Sequence, residues 1–177
     1  MEGENKLLIH IQNAKVTTMS FPNGRKRKEV VEQITKWLNE EGYTIIKEES
    51  NPESYYQAIV VNRKNIITPA PIVIRIPKDS PYKIHVGIIF GYKLLENVSQ
   101  NGDFNYPSKI ESILHQAILP LNVSFQTDST KEDAKLKIYN VIHFDAFSKD
   151  ILFGRIKNVL AAYQAADLKY QQLKKES

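Results

Sequence analysis

Cysteine is absent from the 177 residues of this chain. That absence excludes disulfides, thiolate nucleophiles and thiolate metal sites together. No apolar run approaches the roughly 20 residues that a membrane span needs. The opening Met1-Glu-Gly-Glu-Asn-Lys6 is acidic and polar, and only Leu7-Leu-Ile9 follows as an apolar run. A secretory leader needs a basic start and a longer apolar stretch, so the cytoplasm is the expected compartment. Glycine is scarce, and Gly87 and Gly91 lie in a strand pattern without opening a helix, so they form no phosphate cradle. No Gly-x-Ser-x-Gly elbow occurs. The four histidines, His10, His85, His115 and His143, make no His-x-x-x-His pair. No metal and no cofactor is therefore expected.

Charge of one sign is also in short supply. The formal net charge is only +4, whereas nucleic-acid binders usually carry a larger and more concentrated excess. Much of what there is sits in one run, Arg25-Lys-Arg-Lys28. The apolar fraction of 42% and charged fraction of 25% are those of an ordinary globular domain. At this length one core is expected, with no need of a metal or disulfide to hold it.

What the chain does have is a clear succession of periodic segments. Residues 1–21 read as an N-terminal extension or an edge strand, with Met19 as a second candidate start. Residues 22–177 read as one α+β domain. A first helix is expected over 29–41, where Val30, Val31, Ile34, Trp37 and Leu38 make one stripe. Gly42 supplies its left-handed end, and Tyr43 can pack back on Leu38. Strands follow at 43–49 and 56–63. Ile72, Ile74 and Ile76 share one face of a third, and Ile84, Val86, Ile88 and Phe90 one face of a fourth. The other face of that fourth strand carries His85, Gly87, Ile89 and Gly91. Such alternation suits an antiparallel sheet with helices on one face and water on the other. A capping box, Ser108-Lys-Ile-Glu111, opens a middle helix that Pro120 stops. Val123, Phe125 and Thr127 begin a fifth strand. Leu136, Ile138, Asn140, Ile142 and Phe144 share a face of the sixth.

Ser148 can cap the last helix. Its apolar positions Leu152, Ile156, Val159, Tyr163, Ala166, Tyr170 and Leu173 alternate steps of four and three. This is a heptad seam. Two placements follow for its end. Tyr163, Ala166, Tyr170 and Leu173 are a candidate self-association interface, or the helix continues along its own sheet. Further apolar residues at Ile151, Phe153 and Leu160 widen the stripe over the first half and favour packing on the sheet there.

The candidate chemistry is thin. Arg25, Lys26, Arg27 and Lys28 form a candidate anion-binding patch, against a plainer reading as a solvated lead-in to the first helix. No aromatic residue interleaves with them, as a single-strand binding groove requires. His143-Phe-Asp145 sets an imidazole and a carboxylate on one side of an extended segment. A strand-end histidine satisfied by a neighbour is the commoner outcome. His85, opposite the Ile84–Phe90 stripe, belongs to solvent or an interface.

The order α-β-β-β-β-α-β-β-α, from Glu29 to Leu173, resembles the fold of type III secretion chaperones. It is also similar to an archaeal family of unknown function. There the match includes a first helix ending in Trp37-Leu-Asn-Glu-Glu-Gly42 and a last helix opening with Phe147-Ser-Lys-Asp-Ile-Leu152. The resemblance implies a small dimeric, non-catalytic protein that holds extended segments of a partner. The basic pI of about 9.1 departs from secretion chaperones, which are typically acidic. The expected function is chaperone-like protein or peptide binding, as a homodimer with an unknown protein partner and no membrane. The alternatives are a nucleic-acid-binding accessory protein using Arg25–Lys28, and a small hydrolase or transferase that gathers His143 or His85 with a carboxylate.

Overall fold

The apolar faces of six strands point the same way in the computed structural model, which describes residues 27–62, 70–93, 106–129 and 133–176. The strands are β1 (Tyr43–Glu49), β2 (Ser54–Asn62), β3 (Ile72–Pro77), β4 (Lys83–Lys93), β5 (Ser124–Ser129) and β6 (Asp133–His143). They form one antiparallel sheet in the order β1-β2-β3-β4-β6-β5. Three helices cover one side: α1 (Arg27–Glu40), α2 (Tyr106–Ile118) and α3 (Lys149–Glu176). The expected α+β class, element order and one-sided helical cover are all present. The extension 1–21, and Arg25 and Lys26 with it, lie outside the described residues.

Each helix end has a local cause. Gly42 adopts φ 80°, and the amides of Glu41 and Gly42 donate to the carbonyls of Trp37 and Asn39, which closes α1. The Ser148 hydroxyl accepts from the amide of Ile151 at 3.3 Å and its carbonyl accepts from Leu152, which opens α3. The middle helix differs from expectation. It begins at Tyr106, two residues before Ser108. Pro107 explains the earlier start, because its fixed φ and missing N–H suit a first turn. Lys149 ties the start of α3 to the end of α1, reaching Glu40 at 3.0 Å and Glu41 at 2.9 Å.

The core has two halves on the helical side. In the first, Val30, Ile34 and Leu38 of α1 meet Tyr56, Ile74, Ile76, Ile84 and the start of α3. Trp37 packs on Phe147 there, ring centres 5.0 Å apart. In the second, Ile110, Leu114 and Ile118 of α2 meet Phe90, Leu136, Ile138 and the second half of α3. With 28 residues, α3 is roughly 40 Å long and runs across both.

Along this length the seam residues touch the chain's own core. Ala166 is fully buried and Tyr170 is 7% exposed. Tyr163 and Tyr170 set their edges against the Phe90 ring at 5.5 and 5.9 Å, and Leu173 packs on the same cluster. The four seam residues therefore lie along the chain's own sheet. A narrow stripe suffices because α2 closes the flank of α3 that a wider stripe would otherwise have to cover.

Candidate functional site

The side of the sheet away from the helices carries no cover among the described residues. Because side chains alternate along a strand, the residues between the buried ones all project there. Two rows cross this face. One runs Lys47, Ile59, Val73, Gly87, Tyr139, Ser124, each directly opposite the next. The neighbouring row runs Glu49, Gln57, Arg75, His85, Val141. Ile89, paired with Lys137, extends the apolar centre and is 52% exposed. Of these, Gln57, Ile59, Val73, Arg75, His85, Gly87, Ile89, Lys137 and Tyr139 line a shallow groove of about 500 Å³.

Gly87 gives the groove its depth. A Cβ built there would stand 3.2 Å from the carbonyl oxygen of Ile138 and 3.3 Å from Tyr139 Cβ. A glycine is the residue that lets this close backbone approach occur in a central strand. The Tyr139 ring lies nearly parallel to His85, centres 6.1 Å apart and planes 14° apart.

The rim is basic. Lys47 pairs with Glu49 at 2.8 Å and Lys137 with Asp128 at 3.6 Å. Arg75 and Lys83 have no ion-pair partner among the described residues. Burial, then the Arg75 charge, hold the His85 pKa below its ordinary value; Asp79 opposes this and Lys83 adds to it. His85 is thus harder to protonate than a free imidazole, beside a guanidinium with no ion-pair partner among the described residues.

Other sequence candidates separate from this groove. Arg27 lies over the Tyr55 ring at 3.7 Å and Lys28 faces Glu32 at 3.8 Å, so the described half of the basic run engages its own chain. His143 is exposed at the end of β6 and lines a smaller pocket of about 360 Å³ with Ile151, Gly154, Arg155 and Asn158. Asp145 accepts from the amide of Ala146 at 2.9 Å. His115 stacks on Phe125, centres 4.1 Å apart, and its Nε2 lies 3.1 Å from the Thr127 hydroxyl. It therefore joins α2 to β5. Among the described residues, no group of three or more His, Asp or Glu side chains is placed to hold a metal ion. No helix there is long and apolar enough to cross a membrane.

His85, Gly87 and Ile89 were visible in the sequence as one strand face. Ile59, Val73, Arg75, Lys137 and Tyr139 are legible less directly. Their signal was the complement of the buried stripes: the residues between Ile72, Ile74 and Ile76, and between Leu136, Ile138 and Asn140.

No protein-family model matches this chain, and no curated protein matches it. Its fold is similar to that in the crystal structure of an uncharacterized protein from Methanothermobacter thermautotrophicus, with a TM-score of 0.61 and 23% sequence identity. The alignment covers 80% of this chain and 96% of the other. At that identity the likeness shows a shared fold, in line with the archaeal layout noted from the element order.

Proposed function

We propose that this chain is a non-catalytic binding module that holds an extended, acidic segment of a partner protein on the open face of its sheet. The supporting observation is the apolar row Ile59–Val73–Gly87–Tyr139, uncovered among the described residues, with half-exposed Ile89 beside it, set within a basic rim. Apolar surface at the centre of a patch with polar groups around it is the composition of a protein-binding surface. Charge selects the occupant. Lys47, Arg75, Lys83, Lys135 and Lys137 outnumber Glu49 and Asp128 on this face. A second copy would bring cations against cations, whereas an acidic segment complements them.

Nucleic acid fits less well. The centre of the groove is aliphatic, and its two rings, Tyr139 and His85, already lie against each other. A single-strand platform instead offers free aromatic faces to successive bases. The expected likeness to secretion chaperones is consistent with holding an extended segment, and rests on fold analogy.

The test is calorimetric titration with a soluble peptide of alternating glutamate and valine, against one of alternating lysine and valine. The acidic peptide should bind and Ile89→Asp should abolish that binding. Equal binding of both peptides, or an Ile89→Asp protein that binds as the wild type does, refutes the reading.

A further inference from the structure

The groove has one feature that apolar contact does not explain. Arg75 and His85 are directly opposite each other on adjacent strands, both facing outward. Directly opposed side chains on one sheet face have Cβ atoms about 5 Å apart, and like charges there are unfavourable. The pair is tolerable in the free protein because half-burial and the neighbouring Arg75 and Lys83 charges disfavour protonation of His85.

We infer that Arg75 and His85 form the carboxylate anchor of the groove, Arg75 as a permanent cation and His85 as a base that takes up a proton when the partner's carboxylate arrives. This rests on the groove being the binding face. Arg75 presents a planar fork matched to a carboxylate, and it has no ion-pair partner among the described residues. A carboxylate placed between the two side chains replaces their mutual repulsion by two attractions. The groups around His85 fit that role. From β3 it meets Arg75, from its own strand Lys83 and Gly87, and from β6 Val141 opposite it and Tyr139 against its ring. Gln57 lies beyond Arg75 on β2, and its amide donates to Glu49 at 3.2 Å, which fixes that carboxylate at the far border of the row. His143 lies diagonally across on β6, opposite Lys83. Asp79, in the turn between β3 and β4, acts on His85 as a distant charge.

The consequence is a grip that tightens with acidity. Protons are taken up on binding, so affinity rises as pH falls through the range where free His85 is neutral and bound His85 is charged. A glutamate-bearing partner stays mostly ionised down to about pH 5.5, which leaves a usable window.

The experiment measures the affinity of the alternating glutamate–valine peptide at about pH 7.5 and about pH 5.5. It uses the wild type, Arg75→Gln, His85→Gln and Ile89→Asp, with circular dichroism as a check on folding. The wild type should bind roughly fivefold more tightly at the lower pH, the scale of one exposed charge pair. Arg75→Gln should weaken binding by a similar factor at both pH values, and His85→Gln should remove the pH dependence. If Ile89→Asp abolishes binding while Arg75→Gln and His85→Gln match the wild type at both pH values, the anchor is wrong and the groove stands. If the wild type binds no peptide, groove and anchor both fall. Free acetate or inorganic phosphate competing as well as the peptide overturns the assignment to a partner's side chain. Polyuridylate bound more tightly than the peptide, in an Arg75-dependent way, assigns the face to nucleic acid and overturns it too.

Discussion

Gly87 stands directly opposite Tyr139, and the two backbones come so close that a Cβ at Gly87 would be 3.3 Å from the Cβ of its partner. Nearby on the same strand, Gly91 has nothing among the described residues within 4 Å of where its Cβ would stand. The two glycines should respond oppositely to valine. Gly87→Val should destabilise the fold by about 1–3 kcal/mol, because the backbone carbonyl of Ile138 cannot yield as a flexible side chain would. Gly91→Val should be neutral or stabilising by up to about 1 kcal/mol, since a β-branched residue suits a strand. Urea midpoints at matched slope distinguish the two outcomes.

The end of α3 gives a second contrast. Tyr170 is buried against Phe90 and Tyr92, whereas Leu168 is 66% exposed. Tyr170→Glu should cost about 3 kcal/mol or more, the scale of emptying an aromatic core site and burying a charge there. Leu168→Glu should fall within about 0.5 kcal/mol of the wild type. If Tyr170→Glu left thermal stability intact and instead halved the mass seen by light scattering, the seam would be an interface after all.

How far the sequence reached is visible at these positions. The strand faces were legible because burial on one side imposes strict alternation, as at Ile72, Ile74 and Ile76 or at Ile84, Val86 and Ile88. The caps at Gly42 and Ser148 were legible because their chemistry is local. The stripe of Tyr163, Ala166, Tyr170 and Leu173 shows only that something covers it. Which layer does so depends on α2 lying alongside α3, an arrangement of segments far apart in the chain. The groove was half legible for the same reason. His85, Gly87 and Ile89 follow from one strand, but Arg75 and Tyr139 join them only through the pairing order β3-β4-β6.

Acidification should weaken the fold through His115. Its pKa is lowered chiefly by burial, with Glu111 opposing. A histidine that is harder to protonate when folded binds fewer protons than its unfolded counterpart. Its contribution is therefore complete above the unfolded value near 6.5 and is lost as pH falls through the lower folded value. Denaturant midpoints measured between neutral pH and about pH 5 should drop, and His115→Phe should show a shallower drop than the wild type. That variant keeps a ring beside Phe125 but gives up the hydrogen bond to the Thr127 hydroxyl, a fixed offset at every pH. A variant slope equal to that of the wild type would show that His115 is not the titrating group.

The bridge from Lys149 to Glu40 and Glu41 should matter little and in a salt-dependent way. Both carboxylates raise the Lys149 pKa by accepting its hydrogen bonds, yet the group sits in water. Lys149→Ala should lower the melting temperature slightly at low salt, and the difference should shrink in molar salt. A salt-independent difference would point to packing of the lysine stem instead.

The proposed binding surface is the face of the sheet that no described residue covers. Backbone amide chemical shifts followed during titration with the alternating glutamate–valine peptide test it most directly. Changes should concentrate at Ile59, Val73, Arg75, His85, Gly87, Ile89 and Tyr139, on β3, β4 and β6 and their neighbour β2. Changes confined to α1, α2 and α3, or none at any peptide concentration, would contradict it.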